Sequence, residues 1–205
     1  MAELALKPRS GFEDLAIPGR YGVALGAEPQ VIILERPNLV VAQLSAFRGK
    51  REDAARAVFE IAGLELPEGP KRAAVSGLTL IGMAPSQWLS IADGAEGRAR
   101  LSRLSEALSG LASVVDQSDA KAILRVSGPR LRDALAKGCA LDLHPRAFGF
   151  EDAATTQIAL IPCQIWQLDD APTFELAVPL SYARSFWSWL TASAGEFGYE
   201  VRTRP

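Results

Sequence analysis

The chain has 205 residues, 48% of them hydrophobic and 22% charged, with a formal net charge of −2. That composition belongs to a globular protein able to bury a sizeable core, and it excludes disordered and fibrous classes. Basic and acidic residues are interspersed, so no cationic stripe exists to release counterions from a nucleic acid, and the apolar runs fall far short of the ~20 residues that span a bilayer.

Residues 1–29 carry several Pro and Gly and little periodicity, which predicts an irregular arm. The first twenty residues mix charges of both signs and lack the apolar stretch of a secretory signal. Cys139 and Cys163 are the two cysteines and form no CxxC pair. We therefore expect a cytoplasmic protein with reduced thiols, a single disulfide being the other reading that the spacing allows.

Ordered alternation begins at Val31-Ile32-Ile33-Leu34, a strand stopped by Pro37, and continues in a second strand over 39–44. A helix is expected over 51–62. Ala54, Ala55, Val58, Ile61 and Ala62 share one face, Glu52, Asp53, Arg56 and Glu60 the other, and Gly63 stops it. Segments 78–83 and 87–92 read as strands around Ala84-Pro85-Ser86, and Leu101, Leu104, Leu108 and Leu111 mark a second helix. A further strand at 121–126 leads to Ser127-Gly128-Pro129, where Ser127 is placed to cap a helix with proline at its first position. Leu131, Ala134 and Leu135 face inward and Gly138 ends it. Strands at 154–161, 163–168 and 173–178 follow, then a helix from about Ser181 to Ala194.

The two halves match in outline. Each offers a strand, a short helix ended by glycine, an exit segment, a strand pair and a second helix. The exits are Leu64-Glu65-Leu66-Pro67 and Leu141-Asp142-Leu143-His144-Pro145. The pattern predicts an α+β fold in which residues 30–205 form a duplicated module, with pseudo-repeats at about 30–110 and 112–198, and not a parallel α/β sheet.

KGCALDLHPRAF, residues 137–148, crowds Cys139, Asp142 and the single histidine, His144, into six positions. The equivalent place in the first half is a plain exit turn with neither histidine nor cysteine, which argues for a turn here too. Pro145 pushes His144 toward extended geometry. A helix C-terminus raises rather than lowers a thiol pKa, which counts against Cys139 as a nucleophile. Cys163 sits in a strand and reads as core. Gly128-Pro129 offers too few amides for a phosphate loop, and Asp116-Gln117-Ser118-Asp119 and Asp169-Asp170 read as turns. The last helix carries two apolar stripes, and Trp187 widens its apolar arc beyond one core face. That width suits either a well-buried helix or a surface shared with a partner chain.

SVVDQSDAKAILRVSGPRLRDALAKGCALDLHPRAF (113–148) and LDDAPTFELAVPLSYARSFWSWL (168–190) closely resemble the gamma subunit family of bacterial heterotetrameric sarcosine oxidases. LTLIGMAPSQWLSIADG (78–94) is similar to it as well, so the likeness covers roughly 75–198. The resemblance implies a fold related to the folate-binding domain of glycine-cleavage T-proteins, and a cytoplasmic complex of alpha, beta, gamma and delta chains. Such a complex oxidises sarcosine to glycine, releases the methyl carbon as formaldehyde or passes it to tetrahydrofolate, and reduces oxygen to hydrogen peroxide. In that family FAD, FMN, NAD and the amine-oxidising site belong to the alpha and beta chains and zinc to delta, tetrahydrofolate is expected in partner subunits, and gamma is an accessory subunit without its own cofactor. Accordingly no catalytic, cofactor or metal residue is assigned in this chain, and Arg130, Arg132, Arg146, Arg184 and Trp187 are the expected interface. The alternative is a stand-alone folate- or small-anion-binding module of the T-protein type, with Asp116 or Asp119 as its carboxylate.

Overall fold

A computed structural model describes residues 10–22, 28–94 and 96–203. Its strands are β1 (Gly19–Tyr21), β2 (Val31–Glu35), β3 (Val40–Ala46), β4 (Arg72–Val75), β5 (Leu78–Ala84), β6 (Gln87–Ala92), β7 (Ala112–Asp116), β8 (Lys121–Ser127), β9 (Ala153–Ile158), β10 (Ile161–Asp169), β11 (Thr173–Pro179) and β12 (Tyr199–Arg202). Its helices are α1 (Arg51–Ala62), α2 (Gly97–Ala107), α3 (Leu131–Ala136) and α4 (Ala183–Ala194). The strands form two sheets, ordered β4-β5-β6-β3-β7 and β1-β12-β2-β8-β11-β10-β9.

The two-residue period of a strand decides what lies on each side of each sheet. In β3, Val40 and Leu44 pack with Ala54 and Val58 of α1 and Leu104 of α2, while Val41 faces the other way. In β8, Leu124 and Val126 pack with Leu131 of α3 and Phe186 of α4, while Ile123 faces the other way. Val41, Ile123, Ile81, Leu89, Ile91 and Trp166 meet in a third cluster. The layers thus run helices, sheet, sheet, helices, with this third cluster between the sheets. Each large side chain withdrawn there contributes about 1.5–3 kcal/mol of apolar burial.

The element order β2-β3-α1-β4-β5-β6-α2 recurs as β7-β8-α3-β9-β10-β11-α4, so the module is duplicated. The first strand of each copy, however, crosses to the other sheet. Strand β2 pairs with β8, and β7 pairs with β3, both antiparallel. With that exchange the two sheets share one order, β4-β5-β6-β3-β7 against β9-β10-β11-β8-β2.

Three local expectations are corrected. Within the stretch read as an irregular arm, Phe12 is fully buried in the core under α4, and β1 adds to the edge of the larger sheet beside β12. The Glu35 carboxylate holds this segment, accepting from the Ser10 hydroxyl and from the Phe12 amide at 3.1 Å. Residues 1–9 and 23–27 of the arm lie outside the described residues.

Ser127 is the second case. It is the last residue of β8, paired with both Ile32 and Thr173, and α3 begins only at Leu131 after Arg130, with no side-chain cap. Two ladders hold Ser127 extended and override its capping tendency. The third case is the hairpin after β9. Ala159 and Leu160 turn the chain with φ of 51° and 65°, and β10 then runs straight through Pro162. Left-handed turn residues suit the twist of a two-residue hairpin, but the usual Asn-Gly signal is missing. Pro162 precedes the first β10 residue that pairs with β11, Gln164, so its lacking N–H is tolerated.

Candidate functional site

The segment around His144 folds as a turn between α3 and β9. His144 is exposed. Its amide donates to Asp142 Oδ1 at 2.9 Å, and its Nδ1 accepts from the Arg146 amide at 3.2 Å. Leu143 is buried and Leu141 packs against the same core, as Leu64 and Leu66 do for the first half. Among the described residues, no group of three or more His, Cys, Asp or Glu gathers as a metal cage. Both cysteines are buried and free, and burial pushes each thiol above its ordinary pKa. A thiolate is the reactive species, so neither should react with a disulfide reagent in the native chain. We expect two equivalents to titrate after denaturation; fast native labelling would refute this placement.

The five residues expected at an interface are dispersed. Trp187 is only 9% exposed, and its ring lies 5.9 Å from that of Phe12, tilted by 45°. The wide apolar arc of α4 is therefore covered from within by the N-terminal segment. Arg132 turns inward as well, donating to the Leu143 carbonyl and, at 3.1 Å, to Gln167 Oε1, with its guanidinium 5.3 Å from the centre of the Phe174 ring. It ties the LDLHP turn to β10. Arg130 is exposed but paired with Asp133 at 2.6 Å and stacked over Phe197 at 4.5 Å. Arg146 and Arg184 are exposed, and their guanidiniums meet no carboxylate among the described residues. No hydrogen bond or ring contact joins any two of the five.

Two cavities lie where the copies meet. The larger, about 340 Å³, is lined by Asp119, Arg36, Arg98 and Lys121 together with Asn38 and Leu39 of the crossing between β2 and β3. Lys121 donates to Gln164 Oε1 at 2.8 Å, and burial pushes its ammonium pKa down. Asp119 reaches this cavity; Asp116 stands outside its lining. Asp116 instead accepts from the Ser118 hydroxyl at 2.6 Å and amide at 2.8 Å, with Arg98 at 3.4 Å, and these bonds hold its carboxyl below the usual range. The turn reading of 116–119 therefore accounts for Asp116.

At the sheet edge, the 69–72 segment meets the loop before β9. Arg72 N donates to Glu151 O at 2.7 Å, Ala153 N to Pro70 O at 2.9 Å, and Lys71 pairs with Asp152. Burial pulls the Asp152 pKa upward, but the Gly149 amide at 2.8 Å and Lys71 outweigh it, and the net shift is downward. A carboxyl whose folded pKa is depressed stabilises the fold above its unfolded pKa and loses that contribution as pH falls through the folded value. Asp152 and Asp116 share this sign, so stability should fall below about pH 4. Asp152→Asn should flatten that part of the acid-unfolding profile, followed by fluorescence; an unchanged profile would sink the assignment.

Sequence reasoning passed over the ionic cluster between the sheets. Glu175 in β11 is 7% exposed. It accepts from Arg36, from Arg125 Nε and Nη2 at 3.1 and 2.8 Å, and from Trp166 Nε1 at 3.1 Å. Arg36 is 8% exposed and also pairs with Asp93. Strand alternation puts Glu175 opposite Phe174 and Leu176, on the face that would be solvent if a second sheet did not cover it.

This duplicated two-sheet α+β architecture is one that other proteins share. The glycine cleavage system aminomethyltransferase T from Bartonella henselae matches with a TM-score of 0.59 and 16% identity, over 79% of this chain and 45% of that one, which shows a common fold. Closer relations narrow the class. Residues 48–196 match the model of the sarcosine oxidase, gamma subunit family. Sarcosine oxidase subunit gamma of Arthrobacter sp. is 31% identical over 190 residues, 92% of this chain and 91% of that one, and the protein of Corynebacterium sp. strain P-1 is 34% identical over 147 residues, 70% and 71% respectively. A chain of the heterotetrameric sarcosine oxidase from Corynebacterium sp. U-96, solved in complex with pyrrole 2-carboxylate, superposes with a TM-score of 0.80 and 28% identity, over 93% of this chain and 96% of that one. The chain belongs to the sarcosine oxidase gamma subunit family.

Proposed function

We propose that this chain is the accessory gamma subunit of a heterotetrameric sarcosine oxidase, working in the cytoplasm with alpha, beta and delta chains. The complex oxidises sarcosine to glycine, releasing formaldehyde or passing the methyl carbon to tetrahydrofolate, and forms hydrogen peroxide. In this reading FAD, FMN, NAD, zinc and tetrahydrofolate are held by the partner chains. The observation that carries it is the match at 0.80 over 96% of a chain from such a heterotetramer. No helix among the described residues is long and apolar enough to cross a membrane.

Among the five interface candidates, Arg146 and Arg184 suit a partner best, because each presents a guanidinium that the fold does not use. Arg130 is a lesser contributor, being neutralised by Asp133. Trp187 and Arg132 serve the chain's own core, so their replacement should destabilise the free chain. Leu160, 87% exposed on the β9–β10 hairpin, adds an apolar contact. The test is co-expression of a tagged chain with its partner chains, reading flavin absorbance per tagged chain after affinity capture. Wild type should bring flavin with it. Arg146→Glu with Arg184→Glu should lower that yield about tenfold or more, consistent with like-charge contacts at an interface, while leaving the far-ultraviolet circular dichroism of the free chain unchanged. Undiminished flavin recovery would remove these arginines from the interface, and colourless wild-type protein would remove the subunit assignment.

A further inference from the structure

The two copies differ in what lies beyond their exchanged strands. In β2, Val31 and Ile33 pack into the core under α3 and α4; in β7, Ala112 and Val114 pack into the core under α1 and α2. Beyond β2 stands β12, running parallel to it from Tyr199 beside Val31 to Arg202 beside Leu34. Beyond β7 the smaller sheet ends, with no further strand among the described residues. Two bonds bracket the β3–β7 ladder, Phe47 N to Leu111 O at 2.9 Å and Gln117 N to Val41 O at 2.7 Å. Antiparallel pairs alternate between bonded and unbonded, so Ser113 and Val115 turn their amides toward β3, and Val114 turns its N–H and C=O outward. Sheet edges ordinarily carry protection against strand pairing. The edge strands β4 and β9 are tied to flanking chain through Arg72 N to Glu151 O, Ala153 N to Pro70 O and a bridge between Cys139 and Ile158. The edge strand β1 has only three residues. Strand β7 has five, ASVVD, with a charge only at the last, and it leaves Val115 47% exposed. Phe47, 48% exposed, stands at its start.

We infer that an extended segment of another subunit joins the smaller sheet at β7 as a strand parallel to it, as β12 does on β2. The inference rests on the assembly reading given above. Main-chain bonds to Val114 supply the affinity, and alternate side chains supply the selectivity, as in other strand additions. Strand β12 defines the pattern of the occupant. Its Tyr199 and Val201 turn into the core beside Val31 and Ile33, whereas Glu200 and Arg202 lie on the other face. The joining segment therefore carries apolar residues at every second position, set beside Ala112 and Val114. A second copy of this chain, joined edge to edge by a two-fold axis, would run antiparallel and so does not fit this template.

The experiment is amide hydrogen exchange on the full chain, free and within the co-expressed complex, quenched and then read residue by residue on the released chain. In the free chain the Val114 amide should exchange fast while those of Ser113 and Val115 stay protected. Assembly should slow Val114 by about a hundredfold or more. Val114→Pro deletes the outward donor and spares the bonds to β3, a placement that edge strands tolerate. It should leave the free chain folded and lower the flavin recovered per tagged chain about tenfold, the loss of about one hydrogen bond. If that variant does not fold, the exchange rates of the wild type decide alone. A flavin-bearing complex in which Val114 exchanges as in the free chain would overturn the inference and leave the assembly reading standing. Val114 already slow in the free chain would overturn it as well, because the chain itself or a second copy then covers the edge. Wild-type chain that captures no flavin would remove the assembly reading and the inference together.

Discussion

Glu175→Ala should cost the free chain about 3–5 kcal/mol of stability, as breaking one side of a buried ion pair does. One carboxylate serves three donors from three strands or their ends: Arg36 after β2, Arg125 in β8 and Trp166 in β10. Removing it strands the Arg36 guanidinium, 8% exposed, with only the half-exposed Asp93 as a counter-charge. It also leaves the fully buried Trp166 with an indole N–H lacking its acceptor. Urea unfolding followed by tryptophan fluorescence measures the loss. Pairing Glu175→Leu with Arg36→Met should recover much of it, because both charges are then gone and the site stays filled. If Glu175→Ala shifts stability by less than about 1 kcal/mol, the cluster is a solvated surface network and not a buried one.

Gly128→Ala should be nearly as damaging, at roughly 3 kcal/mol or more, through backbone strain added to a clash. The residue has φ of 119°, and an added Cβ would stand 2.3 Å from the Gln30 carbonyl oxygen and 3.1 Å from Val31 Cα. Both neighbours are backbone, so the start of β2 has to move for the methyl group to fit. Gly49→Ala is the internal control: φ is 75° there, but nothing lies within 4 Å. It should cost about 1 kcal/mol, the strain alone. Hydrogen exchange should show the amides of β2 losing protection in Gly128→Ala and keeping it in Gly49→Ala; equal loss in both would mean that proximity to Gln30 is irrelevant.

Much of the fold is legible in the sequence, because its local signals agree with the packing. Alternation marks β3, apolar-rich segments between turns read as β5, β6, β8 and β11, and the helical face of Ala54 and Val58 marks α1. The pairing of LELP with LDLHP identifies two exits that the structure anchors through Leu64, Leu66 and Leu143 in their respective cores. What escapes is what depends on distant chain. Nothing near Phe12 says that Trp187 awaits it. Ser127 carries a helix-cap signal that two neighbouring ladders overrule. Glu175 is polar at a position that alternation assigns to the outer face of one sheet, and only the second sheet reveals that this face is inside. The same blindness hid the ionic cluster, since Arg36 after β2, Arg125 in β8 and Trp166 in β10 converge on Glu175 with no spacing in common.

The crossing of β2 and β7 bears on how the chain acquires its shape during synthesis. When α2 has emerged from the ribosome, the first copy is complete in sequence, yet β2 still lacks β8 and the outer edge of β3 still lacks β7. Neither gap closes until residues beyond 112 are made, so the nascent first copy carries a bare strand and an unpaired sheet edge, both of which invite pairing between chains. Such long-range closure is slow, because the entropy of the intervening chain is lost before the contacts form. A chain cut between α2 and β7 should therefore yield two fragments that aggregate apart and fold only when mixed, each lending the other its missing strand.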